Sequence, residues 1–138
     1  VQYPTASVGI AAATPKGLMV PVIHEASELT LAELVERRKD IVTRARDGKL
    51  GFEDIAGGTF TVSNLGMMGI ARFDAILNPP QVAILAVGAT VDRPVPGGDR
   101  GVWRPVAEFT LTCDHRALDG ATGATFLQAM KRRLETGA

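Results

Sequence analysis

One cysteine in 138 residues, Cys113, leaves no partner for an intramolecular disulfide and too few thiolates for a cysteine-based zinc cluster. A reducing compartment is expected. Neither sign of charge is in excess: 15 Lys and Arg face 15 Asp and Glu, a formal net charge of zero. No summed field therefore draws nucleic acid or an anionic membrane, and such a partner would need a local patch. No apolar run approaches the roughly 20 residues that span a bilayer. The opening Val1-Gln2-Tyr3-Pro4 has neither an initiator methionine nor the charged-then-apolar pattern of a signal peptide. It reads as the middle of a longer polypeptide from which a targeting segment could be missing. What the chain does have is 46% apolar and 22% charged residues, enough for one core in an ordinary globular domain. Fibres, disordered tails and disulfide miniatures are excluded.

Two segments carry helical periodicity. In the first, Leu31, Leu34, Val35, Ile41, Val42 and Ala45 form an apolar stripe that needs a sheet beneath it, and Glu33, Glu36, Arg37 and Lys39 are left for solvent. Thr30 and Glu33 form a T-x-x-E capping box at its start, and Gly48 offers a left-handed stop. The second helix is expected from about Asp119 to Glu135, with Phe126, Leu127, Met130 and Leu134 inward. Lys131, Arg132 and Arg133 then lie at the negative end of its dipole, as a solvated helix end. Expected strands are Val8 to Ala13, Leu18 to Val22, Thr59 to Leu65, Gln81 to Val91 and Arg104 to Asp114. Thr14-Pro15-Lys16-Gly17 supplies a turn that makes a hairpin of the first two. Val82 to Val91 is almost continuously apolar, the pattern of a strand buried on both faces. Arg93 to Gly101, with two Pro and three Gly, reads as an exposed loop. Five strands and two helices make a small α+β unit with no sign of an internal repeat or a second domain.

Only two histidines are available for imidazole chemistry. His24 follows a strand and reads as structural. His115 stands in Asp114-His115-Arg116-Ala117-Leu118-Asp119-Gly120, between a strand and a helix, where mixed α and β folds collect their sites. An imidazole, two carboxylates and a guanidinium in one turn can orient a ring and bias its proton affinity. The plain structural reading of the same residues is a helix start with Asp119 as N-cap, and spacing alone leaves both readings open. A metal site is disfavoured, because the histidines are far apart in sequence and no H-x-x-x-H pair exists. Acid/base work fits better: an imidazole of pKa about 6.5 can take a proton from a thiol of about 8.5 without a large mismatch.

Ser63 ends a β-like run before the glycine-punctuated turn Asn64-Leu65-Gly66. It lacks the G-x-S-x-G setting of a nucleophile elbow. Its hydroxyl could donate to a developing oxyanion, a task that needs position but no activation, or could simply bond to nearby backbone. The glycines form neither phosphate-binding pattern, and Met67 and Met68 read as packing. Cys113 reads as strand packing, not as a nucleophile.

Four stretches in order carry a resemblance: Ala13-Thr14-Pro15-Lys16-Gly17-Leu18-Met19-Val20-Pro21-Val22-Ile23, Gly58-Thr59-Phe60-Thr61-Val62-Ser63-Asn64-Leu65-Gly66, Asn78-Pro79-Pro80-Gln81-Val82-Ala83-Ile84-Leu85, and Asp114 to Gly120. Together they resemble the C-terminal catalytic domain of the dihydrolipoamide acyltransferase component of 2-oxo acid dehydrogenase complexes, over nearly the whole chain. The resemblance implies an α+β fold, a two-layer α/β sandwich around a mixed sheet, as in chloramphenicol acetyltransferase. It implies homotrimers with active sites between subunits, built into a larger core. Residues 1–138 would be the C-terminal portion of that catalytic domain, lacking its N-terminal part and expected to be poorly active alone.

By the same resemblance His115 is the general base toward the thiol of coenzyme A or dihydrolipoamide, and Ser63 is the oxyanion donor. Asp119 supports the geometry through an ion pair with a residue outside this chain. Asn64, Phe73 and Ile76 are substrate-binding, the last two lining a thiol channel. Coenzyme A is a substrate, the lipoyl group arrives on a domain not in this chain, and no metal is needed. The partners implied are the decarboxylating dehydrogenase and dihydrolipoamide dehydrogenase components, without nucleic acid or membrane. The favoured setting is a bacterial cytoplasm, with the mitochondrial matrix open. The N-L-G-M-x-G-I-x-x-F run followed by N-P-P-Q looks most like acetyl-transferring pyruvate complexes, ahead of branched-chain and succinyl versions. A silent scaffold subunit, or a free-standing small-molecule acetyltransferase, are the alternatives. The first is disfavoured by the presence of both His115 and Ser63, and the second is separated by whether a lipoyl domain lies upstream.

Overall fold

The computed structural model describes residues 2–97 and 101–137. Its elements are β1 (Val8–Ile10), β2 (Ala12–Thr14), β3 (Gly17–Met19), β4 (Val22–Ile23), α1 (Leu31–Arg46), β5 (Phe60–Asn64), β6 (Ala83–Val87), β7 (Val91–Val95), β8 (Val102–Val106), β9 (Phe109–Cys113) and α2 (Gly120–Thr136). The capping box forms as its spacing predicts: the Glu33 amide donates to the Thr30 hydroxyl at 3.3 Å, and the Thr30 amide donates to the Glu33 carboxylate at 2.8 Å. Helix α1 therefore begins at Leu31. Beyond its last turn Gly48 takes a φ of 69°, and Lys49 donates back to the Arg44 carbonyl, which ends the helix without strain. Arg44 then reaches both carboxylate oxygens of Asp54, at 2.7 and 2.8 Å, tying the helix to the following loop.

The main sheet has the order β4-β1-β5-β6-β9. Strands β1, β5 and β6 run parallel, and β4 and β9 pair antiparallel at the two edges. The predicted hairpin across Pro15-Lys16 is the ribbon β2-β3, in the register Ala12↔Met19 and Thr14↔Gly17. Four of the five long strands expected from the sequence are each divided in two. Pro21 has no amide hydrogen to extend a ladder, which separates β3 from β4. Gly88 breaks the long apolar run into β6 and β7, because the backbone there presses on the Ala71 carbonyl so closely that a Cβ would overlap it. The expected loop from Arg93 to Gly101 is also corrected. Arg93 to Val95 belong to β7, which pairs with β8 in a two-stranded ribbon, and residues 98–100 of that loop lie outside the described residues.

Register fixes which side chains share a face. Val8, Ile10, Phe60, Val62, Ala83, Leu85, Leu111 and Cys113 lie on one face, and both helices pack there. Ile41 of α1 joins Ile23 and Ala26 with Val8 and Ile10 packed around them. Gly123 of α2 sits against Leu111 and Cys113, and the Phe126 ring lies 5.8 Å from that of Phe60. Thr61, Ser63, Ile84, Ala86, Thr110 and Thr112 occupy the opposite face. The chain from Ile70 to Gln81 runs back from the far end of β6 to its beginning. It is pinned at one end by the Ala89 amide on the Ile70 carbonyl, and at the other by the buried Thr61 hydroxyl on Gln81 at 2.6 Å. The expected double burial of β6 holds for Ala83 to Ala86.

Two apolar stripes are only partly covered. Leu31 and Val35 of α1 are exposed, and in α2 Phe126 and Leu134 remain 44% and 61% accessible while Leu127 and Met130 are half-buried. Helix α2 touches β9 through the small Gly123, and a cavity of about 720 Å³ opens between its last turns and Val95, Pro105, Val106 and Phe109. Lys131, Arg132 and Arg133 are exposed, as a solvated helix end requires.

The close approach at Gly88 makes the residue after β6 intolerant of a side chain. Gly88→Ala should destabilise the fold by about 1–3 kcal/mol, the usual cost of forced overpacking. Urea denaturation of the two proteins measures this, and an unchanged midpoint would contradict the contact.

Candidate functional site

His115 lies in the turn between β9 and α2 and lines a shallow cavity of about 300 Å³ with Leu111, Cys113, Leu118, Asp119 and the first turn of α2. The turn is built by Asp114. Its amide donates to the Val82 carbonyl at 2.8 Å, and its own carbonyl accepts from the amides of Ala117 and Leu118 at 2.9 and 3.0 Å. Its carboxylate accepts from the Arg116 amide and guanidinium, with the shortest contact 2.6 Å to Nη2. These bonds to Arg116 hold the Asp114 carboxyl down at about 2. The exposed imidazole of His115 receives no hydrogen bond from any described residue. Burial pushes the Cys113 thiol up, against the activation a nucleophile needs.

Asp119 is the N-cap of α2, and its carboxylate accepts from the Thr122 amide at 2.8 Å. That bond lowers its carboxyl below the usual range. Among the described residues no cation pairs with it: the helix-start reading of Asp119 is realised, and the partner of the expected ion pair lies outside this chain.

Ser63 sits half-buried near the end of β5. Asn64 follows it, and its side-chain oxygen accepts from the Gly66 amide at 2.8 Å, which shapes the turn that leaves the strand. Phe73 is half-buried in the irregular segment beyond, and Ile76 is 91% exposed. His24, by contrast, lies far along the chain from these groups, with Nε2 2.9 Å from the Glu53 carbonyl oxygen, a structural tie.

The structure does not bring Ser63 and His115 together within one chain. Ser63 pairs with Ala86, and Ala86 with Thr110, whereas His115 lies five residues further along the chain. At about 3.3 Å per residue over the three strand residues from Thr110 to Cys113, with two strand spacings of nearly 5 Å, the end of β9 already lies roughly 14 Å from Ser63, and His115 is in the turn beyond it. They also leave the sheet on different sides. Ser63 lies on the helix-free face, and the His115 turn leads into α2 on the other. A proton taken at one group cannot be coupled to a charge held at the other across that distance.

The role of Asp114 as the hub of the turn was not assigned from sequence. Its signal is the D-x-R spacing at a strand end, where a carboxylate can bond the backbone two residues on.

Comparison with known proteins adds three relatives and two structures. The sequence pattern of the family 2-oxoacid dehydrogenases acyltransferase (catalytic domain) matches residues 1–138. The chain is 44% identical over its whole length to the dihydrolipoyllysine-residue acetyltransferase component of the acetoin cleaving system of Bacillus subtilis, of which it covers 35%. It is 48% identical, over 97% of its length, to the acetyltransferase component of the mitochondrial pyruvate dehydrogenase complex of Schizosaccharomyces pombe, covering 28% of that protein. It is 43% identical, over 95% of its length, to the succinyltransferase component of the 2-oxoglutarate dehydrogenase complex of Cupriavidus necator, covering 32%. The chain thus spans about a third of the length of these relatives.

Among solved structures, the dihydrolipoamide acetyltransferase of Azotobacter vinelandii superposes with a TM-score of 0.93 at 35% identity, covering 97% of this chain and 55% of that one. In that enzyme a serine, a histidine and an asparagine were investigated for their role in the catalytic mechanism, and they are 52 and 4 positions apart. Ser63, His115 and Asp119 have the same separations. The cubic core of a pyruvate dehydrogenase multienzyme complex superposes with a TM-score of 0.93 at 34% identity, over 97% of this chain and 55% of that one.

The cap assigns a measurable pH dependence to Asp119. Its carboxyl is lower in the folded state, so its contribution is complete above the ordinary carboxylate value near 4 and is lost as pH falls through the lower folded value. Asp119→Asn, which keeps the accepting oxygen, should melt close to the parent at neutral pH and lose less on acidification. Asp119→Ala should melt lower at neutral pH. Thermal melts between pH 7 and pH 2 check both, and equal melting of the alanine variant would contradict the cap.

Proposed function

Because the chain belongs to the family of 2-oxoacid dehydrogenase acyltransferase catalytic domains, we propose that it transfers acyl groups between dihydrolipoamide and coenzyme A thiols within a 2-oxo acid dehydrogenase complex, with acetyl as the favoured group. Residues 1–138 are read as the C-terminal portion of the catalytic domain. The observation that carries this reading is the recurrence of Ser63, His115 and the position of Asp119 at the separations of the serine, histidine and asparagine of the Azotobacter enzyme. Acetyl is supported by two of the three relatives described, and the succinyltransferase among them keeps the acyl group a matter for assay.

In this reading the His115 imidazole takes the proton from the attacking thiol. The thiolate adds to the thioester carbonyl, the Ser63 hydroxyl donates a hydrogen bond to the tetrahedral oxyanion, and collapse expels the second thiolate. That thiolate recovers the proton from the imidazolium. One carbon–sulfur bond forms and one breaks between like groups, so the exchange is nearly balanced in energy. The protein's task is therefore alignment, proton transfer and oxyanion stabilisation.

The separation of Ser63 from His115 within one chain supports a site made by two copies, one supplying the serine end of the sheet and its neighbour the histidine turn. A homotrimer supplies three such sites, and the likeness to a cubic core supports assembly beyond it. In the trimer Phe73 and the exposed Ile76 line the thiol path, and Asn64 shapes the turn beside Ser63 and borders the substrate. Coenzyme A is the soluble substrate and the lipoyl arm the tethered one. The proposed partners are a decarboxylating dehydrogenase and a dihydrolipoamide dehydrogenase. Relatives include bacterial and mitochondrial proteins. We favour the bacterial cytoplasm, in keeping with the lone Cys113.

The test is acyl transfer from acetyl-, isobutyryl- and succinyl-coenzyme A to dihydrolipoamide by the full chain. The acetyl donor should be fastest. His115→Ala should lower kcat about 10²–10⁴-fold, and Ser63→Ala about 10²–10³-fold, with KM little changed. Full activity of the His115→Ala protein would overturn the assignment.

A further inference from the structure

The mechanism proposed above asks nothing of Asp114, yet the turn that carries His115 is organised around it. Its peptide groups are fixed from both directions: the amide is held by the first residue before β6, and the carbonyl by the two amides that follow the turn. Its carboxylate closes the loop between them by accepting the Arg116 amide at 3.0 Å and the guanidinium at Nε and Nη2. His115 is the residue enclosed by this clamp. Its ring receives no hydrogen bond from the described residues, so among the hydrogen bonds it is those of the turn's backbone that place the imidazole. The side chain of Asp114 is 22% exposed and that of Arg116 is 90% exposed. With its Arg116 end so open to solvent, the ion pair adds little to global stability. Its effect is local, on the path of the backbone through residue 115.

We propose that Asp114, with Arg116 as its counterpart, is a positioning residue for the general base, holding the His115 turn so that the imidazole meets the incoming thiol. This rests on the reading of His115 as that base. Proton transfer requires heavy atoms about 2.6–3.2 Å apart, and a displacement of about 1 Å can cost on the order of 100-fold in rate. A clamp that contributes little to stability can therefore matter for turnover. The Asp114 carboxyl, held at about 2 by Arg116, stays ionised at every pH where an imidazole base works, so the clamp is closed throughout that range.

The experiment compares Arg116→Gln, Arg116→Lys, Asp114→Asn and His115→Ala in the assembled full chain, measuring kcat, KM for both thiols and melting temperature. Arg116→Gln removes an exposed group, so folding should be unaffected. It should lower kcat about tenfold or more with both KM values within about twofold. Asp114→Asn should be at least as slow, and Arg116→Lys, which keeps a charged donor, should recover part of the loss. Wild-type kcat in Arg116→Gln, or a loss that appears in KM or follows a fall in melting temperature, overturns the proposal. If Asp114→Asn does not fold, Arg116→Gln alone decides. Full activity of His115→Ala overturns instead the reading beneath it.

Discussion

Strand β6 is hydrogen-bonded on both sides, parallel to β5 and antiparallel to β9, and four of its five residues are buried. That pairing governs where the chemical groups can go. Because β5 and β6 run the same way, Ser63 lies at the end of the sheet where β6 finishes. Because β9 runs the other way, its exit, and with it His115, lies where β6 begins. Register then decides the faces: Ser63 looks away from the helices, and the His115 turn leads into one. No side-chain rotation removes a separation set by strand direction. This separation is the ground for proposing that the acyl-transfer site is shared by two chains.

Around this frame the carboxylates hold backbone. Glu33 and Asp119 start the two helices, Asp54 ties the end of α1 to the next loop, and Asp114 shapes the turn at the other end of β9. Each accepts from one or more peptide amides and each has its carboxyl lowered, Asp119 chiefly by its amide bond, and Glu33, Asp54 and Asp114 first by the side chains of Thr30, Arg44 and Arg116. The residues proposed for the chemistry, His115 and Ser63, are not themselves fixed in this way. They are carried at the ends of strands by neighbours that are, which is how a rigid scaffold presents a group without engaging it.

Local signals were the legible part of the sequence. The capping box of α1, the N-cap of α2, the Pro15-Lys16 hairpin and the buried strand at Ala83 to Ala86 each depend on residues close in the chain, and each stands where the pattern placed it. The divisions of the strands were not legible. The break at Gly88 comes from contact with Ala71, 17 residues away, and an apolar run contains no trace of such a contact. The stripe positions Leu31, Phe126 and Leu134 were expected inward and stay exposed, because periodicity states that a face is apolar without stating what covers it. At the site, the motif around His115 was visible, and the plain reading of Asp119 as a cap holds within this chain. The distance from Ser63 to His115 was invisible, since it follows from strand direction, which no single residue encodes.

The claim that matters most is that Ser63 and His115 act together only across two copies. Its direct measurement is activity after co-assembly of His115→Ala and Ser63→Ala subunits, each slowed about 100-fold or more alone. In a random mixture of equal parts about one interface in four joins an intact serine to an intact histidine, so acyl transfer should return to roughly a quarter of the parent rate. Mixed assemblies that remain as slow as either variant alone would contradict the account.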